Sequence, residues 1–346
     1  MINNTFVECI EQLFSAATTF EKTSCCEISR NGDGIDQIIL KIELPELPYN
    51  IKYKPNCIYD LLDEIRLEIG GTIFFKYNSQ ELQQIDILEH KFDSVKKMNS
   101  GNNNTIYYPI NLREIFGKFE SKNDHINISD INYLLLSGIR HGIRLCNMDR
   151  CSVKLYVKFS SIWDIIENKL NIESNFAKEI SKLEIYDCNL LVQYYHMREI
   201  NKADNNIKQK MTMWHCQSFQ DEIDPATPSV KYRLCFDPVT EYRLTEFVVV
   251  NKSNHKIQFF NLQINGVNCF SRSQSADMTK IYQYNKSIEL DENVHAVYLE
   301  TTLLLPSDTV QLNIWFDTNV NYCDISVLAK IETNVVYADG KLVIKN

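Results

Sequence analysis

The sequence predicts an all-β, antiparallel protein in two domains, and three observations carry that expectation. Between Ile58 and Tyr77, apolar Ile65, Leu67 and Ile69 alternate with Glu64, Arg66 and Glu68, the period of a strand with one wet and one dry face. Gly70-Gly71 then supplies two positions that take positive φ without steric cost, and Thr72–Phe75 resumes an extended run, so the stretch reads as a β-hairpin. Asn31-Gly32-Asp33-Gly34, between the strand-like runs Thr23–Ile28 and Ile35–Leu44, is a second strong turn signal. The same grammar of short strands and tight turns returns after the polar stretch 201–212, which reads as a linker in a chain of 346 residues.

Composition bounds the function. Apolar residues make up 44% and charged residues 23%, a globular balance without a disorder signature. With only 10 Gly and 8 Pro for so many turns, the abundant Asn is expected to fill left-handed positions, which its side chain tolerates. A net charge of −9 without a long basic run argues against sequence-independent binding of nucleic acid, which needs clustered cations to displace counterions. No apolar run approaches the roughly 18–20 residues that span a bilayer, and the first residues lack the pattern of a signal peptide. The 11 cysteines include vicinal Cys25-Cys26 and the pair Cys146 and Cys151, but no CxxC spacing, so reduced thiols in a protein made in the cytosol are expected. The sequons at Asn3, Asn251 and Asn285 are then expected to stay unmodified.

Taken in order, Phe6, Cys9, Ile10, Leu13 and Phe14 recur at helical spacing, so period alone reads residues 2–16 as an amphipathic helix. Residues 91–104 are polar and Asn-rich, a loop. Val153, Leu155 and Val157 alternate with Lys154, Tyr156 and Lys158 in a strand that closes its sheet. Ser161–Leu170 has a Ser N-cap and apolar spacing at Ile162, Ile165, Ile166 and Leu170, a short helix. Strands are expected at Phe247–Val250, Gln258–Ile264, Val297–Leu305, Gln311–Phe316, Ile325–Ile331 and Val335–Ile344, with a tight turn at 264–268. No direct sequence repeat links the two halves.

Several of these words, in this order, resemble the major capsid proteins of nucleocytoplasmic large DNA viruses. The resemblance rests on Glu11-Gln12 with Phe6, Phe14 and Phe20, on Ile28–Asp33 (ISRNGD), Leu44-Pro45, Glu64–Gly71 (EIRLEIGG), Tyr107–Phe119, Ile131–Leu145 with a His-containing strand, Leu191–Tyr194, Ile264–Asn268 and the terminal strand Val336–Ile344. It makes residues 5–14 extended rather than helical, and an extended conformation is therefore expected there. It implies a double jelly roll: two consecutive eight-stranded antiparallel jelly rolls with few short helices, divided as 1–204 and 205–346. It further implies a structural role in the virion capsid of an icosahedral double-stranded DNA virus, as pseudo-hexagonal homotrimeric capsomers made in the host cytoplasm. The partners implied are two further copies of the chain, neighbouring capsomers, and penton and minor capsid proteins, with an internal membrane reached through minor proteins and no direct nucleic acid. This chain resembles a divergent, short member, without the usual N-terminal arm and long outer loops. Two alternatives share these residues: an assembly scaffold or minor capsid paralogue of the same fold, and a carbohydrate-binding β-sandwich.

Chemistry needs a constellation of residues rather than a residue. No Gly-x-Ser-x-Gly, His-Glu-x-x-His, phosphate loop or dinucleotide fingerprint is present. His141 with Arg140 and Arg144 suggests an anion site, and the competing reading is a sheet-edge histidine among flexible basic neighbours. His215 between Trp214 and Cys216 suggests a metal or nucleophile but has no second ligand at matching spacing. Asp33, Asp36, Asp60 and Asp63 suggest calcium, although an Asp in a turn commonly caps its own backbone. No catalytic, cofactor-binding or metal-ligating residue is assigned, no cofactor is implied, and the chain is not read as an enzyme. The 18 Tyr and 17 Phe suit sandwich cores and subunit contacts.

Overall fold

A computed structural model describes residues 6–48, 51–100, 104–120, 142–169, 172–196, 207–223, 228–236, 241–253, 255–270, 275–317 and 322–344. Strand makes up 52% and helix 18% of it, which fixes the class as all-β with short helices. The chain forms two compact units, Met1–Met211 with Val335–Val343, and Thr212–Asn334 with Ile344–Asn346.

In the first unit the elements are β1 (Phe6–Leu13), β2 (Thr23–Ile28), β3 (Gly34–Glu43), the single turn α1 (Ile58–Leu61), β4 (Leu62–Ile69), β5 (Thr72–Asn78), α2 (Ser79–Leu88), α3 (Phe92–Met98), β6 (Thr105–Ile110), the single turn α4 (Leu112–Ile115), β7 (Phe116–Glu120), β8 (Val153–Phe159), α5 (Ser174–Ile180) and β9 (Asp187–His196). They build two antiparallel sheets, β1-β9-β3-β6 and β2-β8-β4-β5. Alternate side chains of each sheet are buried: Ile38, Leu40 and Ile42 of β3 and Leu190 and Val192 of β9 in one, Leu155 and Val157 of β8 and Ile65 and Leu67 of β4 in the other. This is the period-2 pattern of the sequence turned into a two-layer core. The hairpin forms as expected, with Ile69 opposite Thr72 and both Gly70 (φ 58°) and Gly71 (φ 86°) left-handed, the backbone of a type I′ turn. A Cβ on Gly70 would also stand 2.7 Å from Cys151 Sγ.

The second unit continues with β10 (Ile207–Glu222), β11 (Ser229–Leu234), β12 (Tyr242–Asn251), β13 (Ile257–Ile264), β14 (Val267–Asn268), α6 (Ser275–Lys286), β15 (Val294–Leu304), β16 (Val310–Phe316), β17 (Tyr322–Ala338) and β18 (Lys341–Ile344). Its sheets are β15-β12-β17-β10 and β11-β16-β13-β14. Phe247, Val249, Phe260, Leu262, Leu312, Ile314, Ile325 and Val327 belong to one buried cluster. At its start β10 pairs with β7, and at its end β17 pairs with β18.

Counted within each unit, with β7 and β18 set aside, the strands follow one scheme. The first strand lies beside the eighth, the eighth beside the third and the third beside the sixth, and the other sheet runs second, seventh, fourth, fifth. That is the jelly roll, twice over in one chain. The repetition lies in the connections and is absent from the sequence.

The structure revises several expectations. Residues 6–13 are extended, because eight consecutive pairs with β9 supply backbone partners that an isolated helix would find within itself. Asn31–Gly34 is a turn but not a hairpin: β2 and β3 lie in opposite sheets, and the Asp33 N–H is tied to Tyr195 O at 2.9 Å. Residues 92–98 of the expected loop are helix α3, built around buried Val95. In Ser161–Leu170 the expected helix is replaced at its start by a 3₁₀ turn, Ile162–Asp164, whose N-cap is the expected Ser161, accepting from Trp163 N, while Leu170 lies outside the described residues. The turn ends where Ile166 bridges Tyr53. β8 runs between β2 and β4 instead of closing the sheet. Residues 207–212 of the expected linker are strand, whereas 201–206 lie outside the described residues. The two expected terminal strands are a 17-residue β17 followed by β18. Of Ile131–Leu145, residues 131–141 are outside the described residues, and Ile143 makes a single bridge to Ile35. Asn does fill left-handed turn positions, at Asn56, Asn168 and Asn265.

Candidate functional site

The sequence candidates resolve into structural ties. Arg140 and His141 lie outside the described residues. Arg144 is buried, so it is not a flexible basic neighbour, and its backbone N–H donates to Tyr337 Oη at 3.1 Å. That hydroxyl donates to Gln209 Oε1 at 2.7 Å, and Gln209 Nε2 donates to the carbonyls of Gly117 (2.9 Å) and Gly142 (2.8 Å). Gln209 and Tyr337, more than a hundred residues apart in sequence, thus join the first unit through one buried hydrogen-bonded knot. Burial pushes the Tyr337 phenol well above its ordinary range, against the pull of the Arg144 amide, so it serves as a neutral hydroxyl.

His215 holds a strand end: its Nε2 lies 3.0 Å from Cys235 O, beside Gln217, whose side chain bonds both the N–H and the carbonyl of Cys235. Trp214 carries Lys330 5.5 Å from its ring centroid, and the same ammonium reaches Glu246 Oε1 at 3.0 Å. Lys286 (3.3 Å) and the Tyr282 hydroxyl (2.5 Å) of α6 complete the shell around that buried carboxylate. Glu246 therefore fastens α6 to the β12–β17 sheet; it had no sequence signal beyond one acidic residue in an apolar strand.

Of the four aspartates, Asp60 pairs with Lys54 (3.2 Å) and Asp63 with Lys158 (2.6 Å), while Asp36 is buried on β3. Among the described residues no three His, Cys, Asp or Glu side chains group as metal ligands. Another enclosed acid is Asp86 on α2, which sequence reasoning missed. Its Oδ2 accepts from Tyr59 (2.7 Å) and Tyr108 (3.1 Å). Burial raises its pKa, opposed by the Tyr59 hydrogen bond and Lys91. Both phenols are themselves buried, and the group anchors α2. None of the eleven cysteines is in a disulfide, and burial pushes the Cys26 thiol up to about 11, in an inert range.

What remains for function is surface. In the first unit the two sheets present unlike outer faces. Across β2-β8-β4-β5 the outward rows read Glu27, Lys154, Glu68 and Thr23, Lys158, Glu64. Ion pairs Lys76–Glu64 (2.9 Å) and Lys154–Glu27 (3.7 Å) cross it, and Arg66 lies 4.0 Å over the Tyr156 ring. Across β1-β9-β3-β6 the rows read Glu11, Leu191, Ile39, Pro109 and Leu13, Asn189, Lys41, Tyr107. The first is a charge-zipped, solvated face; the second mixes apolar Leu191, Ile39 and Pro109 with Glu11, Asn189 and Lys41. No helix among the described residues is long and apolar enough to cross a membrane.

Comparison with known proteins agrees with this emphasis on surface. The family described as major capsid protein N-terminus matches residues 2–197. Capsid protein 1 of Acanthamoeba polyphaga mimivirus is 37% identical over 90 residues, covering 23% of this chain and 15% of that much longer relative. In solved structures, the PBCV-1 virus capsid contains a chain that superposes with a TM-score of 0.72 at 16% identity, covering 100% of this chain and 98% of that one. The Faustovirus major capsid protein superposes with a TM-score of 0.61 at 7% identity, covering 96% and 91%. At such identities the structural likeness speaks for the fold, and the family match, over more than half of the sequence, speaks for descent. The chain belongs to the major capsid protein family of double jelly-roll fold, structural proteins of the viral capsid rather than enzymes.

Proposed function

We propose that this chain forms a homotrimeric, pseudo-hexagonal capsomer, the tile of an icosahedral shell around a double-stranded DNA genome. The observation that carries the reading is the shared strand order of the two units. Two like domains per chain and three chains per tile give six like domains, so threefold symmetry approximates a sixfold lattice site. The division into jelly rolls at 1–204 and 205–346 is part of the same proposal, as are contacts with neighbouring capsomers, penton and minor capsid proteins, and an internal membrane reached only through minor proteins. The genome is not touched directly, in keeping with the net charge of −9.

Light scattering of the purified chain across a dilution series, with one projection image of the particles, tests the proposal. The expected result is a trimer that persists on dilution and projects as a near-hexagon. A monomer at micromolar concentration overturns it.

A further inference from the structure

We propose that the outer face of the sheet β11-β16-β13-β14 binds an acidic glycan, an oligosaccharide that carries carboxylate or sulfate groups. Such a face adds ligand recognition to the structural role of the chain, and every residue in it belongs to the second unit.

Alternation assigns the two faces of this sheet. Tyr232, Phe260, Leu262, Leu312 and Ile314 point into the buried cluster of the second unit. The register then sets the intervening residues in three outward rows: Ser229, Trp315, Phe259; Lys231, Asn313, Asn261; and Arg233, Gln311, Gln263, Asn268. Half of these side chains are primary amides, all of them in two adjoining rows, and none is a carboxylate. The rows span about 13 Å along the strands and about 10 Å across the three long ones, the footprint of a short oligosaccharide.

An amide presents a donor and an acceptor side by side, the pair that neighbouring hydroxyls of a sugar ring match. Here the amides hold one another in place. Asn268 Oδ1 accepts from Asn261 Nδ2 at 2.7 Å and from Gln263 Nε2 at 2.8 Å, and Asn313 Oδ1 accepts from Gln311 Nε2 at 3.1 Å. These bonds leave most of the hydrogen-bonding capacity of the set unspent. Asn261 and Asn313 form the floor, each 4% exposed, and Asn261 Oδ1 is buried without a hydrogen-bond partner. Such an atom costs stability until something donates to it, and a sugar hydroxyl is such a donor. Trp315 and Phe259, half-buried beside that floor, supply rings on which the C–H face of a pyranose packs. Charge selects the class of glycan. The chain carries −9 overall, yet exposed Lys231 and Arg233 stand on this face with no carboxylate in its rows, so an anionic ligand is drawn to it. Two cations are too few to track a phosphate backbone, and the amide rows therefore favour a glycan over a nucleic acid.

Calorimetric titration of the purified chain tests the proposal. The probes are a heparin-derived hexasaccharide, an oligogalacturonate, a dextran oligosaccharide and an oligodeoxynucleotide of matched charge. One or both acidic glycans, sulfated or carboxylated, are expected to bind with saturation, and about tenfold or more tightly than the dextran and the oligonucleotide. That affinity is expected to fall about tenfold or more in Asn313→Ala, in Trp315→Ala and in Lys231→Gln/Arg233→Gln. It is expected to hold in Lys76→Gln/Lys158→Gln, which removes the same charge from β5 and β8 of the first unit. Thermal melts report whether each variant is folded; where Asn313→Ala or Trp315→Ala is not, the comparison of the two lysine-bearing double variants decides. The proposal is overturned by acidic glycans that do not bind, or that bind no better than dextran or the oligonucleotide. It is equally overturned by folded Asn313→Ala and Trp315→Ala variants that bind as wild type, or by equal losses in the two double variants. The homotrimer, read by dilution, is untouched by any of these results.

Discussion

At the residue scale, burial has turned polar groups into fasteners whose effects on stability can be separated. Gln209 makes three hydrogen bonds inside the first unit, two of them to backbone carbonyls. Gln209→Leu keeps the volume and removes all three, so unfolding free energy is expected to fall by about 3 kcal/mol in urea titrations, with m unchanged. Asp86 carries a testable sign. Its folded pKa is raised, chiefly by burial, so the folded state holds this proton more tightly than the unfolded chain does. Its contribution is therefore largest below about pH 4 and is lost as pH rises through the folded pKa. Asp86→Asn cannot ionise, so its deficit relative to wild type is expected to shrink as pH rises across that window; a constant deficit would refute the assignment. Neither group was legible in the sequence. Gln209 lay in a stretch that reads as a polar linker, and the phenols that close on Asp86 come from Tyr59 and Tyr108, which only the fold brings together.

At the element scale, what the sequence carried was local. The hairpin at 62–78 was readable because alternation and two glycines specify it within one turn. Helix α2 has a local signal of the same kind, since Asn78 and Glu81 form a capping box before Leu82, Ile85 and Leu88. Helix α6 was harder, since of its twelve residues only Ser275, Thr279 and Tyr282 are buried and it is held by the ionic shell of Glu246. β1 is the ambiguous case. Phe6, Cys9, Ile10 and Leu13 satisfy a helical period, and pairing with β9, nearly two hundred residues on, overrides it. Partner choice of this kind, like the passage of β2 and β3 into opposite sheets, is non-local and leaves no mark in a window of residues. β15 offers a test at this scale. His295 lies 5.9 Å from the Phe260 ring, and burial lowers its pKa. The unfolded chain then takes up the proton first, so stability is expected to fall as pH drops below about 6.5 and to level off below the folded pKa. His295→Gln should flatten that slope in thermal melts read between neutral and mildly acidic pH, and an unchanged slope would assign the sensitivity elsewhere.

At the scale of the whole molecule, a shell tile needs contacts of two strengths. Within a tile they must survive dilution, and between tiles they must be weak enough for misplaced tiles to leave. In the proposed tile the first demand falls to buried apolar surface, since hydrophobic burial is indifferent to moderate salt. The second falls to the charged surface. Each chain carries a net charge of −9, so whole tiles repel over a distance set by the Debye length, about 30 Å at 0.01 M salt and about 8 Å at physiological ionic strength. Salt therefore acts on the two contacts differently. The trimer is expected to hold from about 0.01 to 1 M salt, while association of trimers rises as screening shortens the repulsion. The same series on Glu27→Lys separates charge from shape. The substitution adds two positive charges to each chain's balance on the solvated face, so the onset of association should move to lower salt with the trimer unchanged. Sedimentation across the salt series reads both quantities at once. Trimers that dissociate as salt rises would show that tile cohesion is ionic.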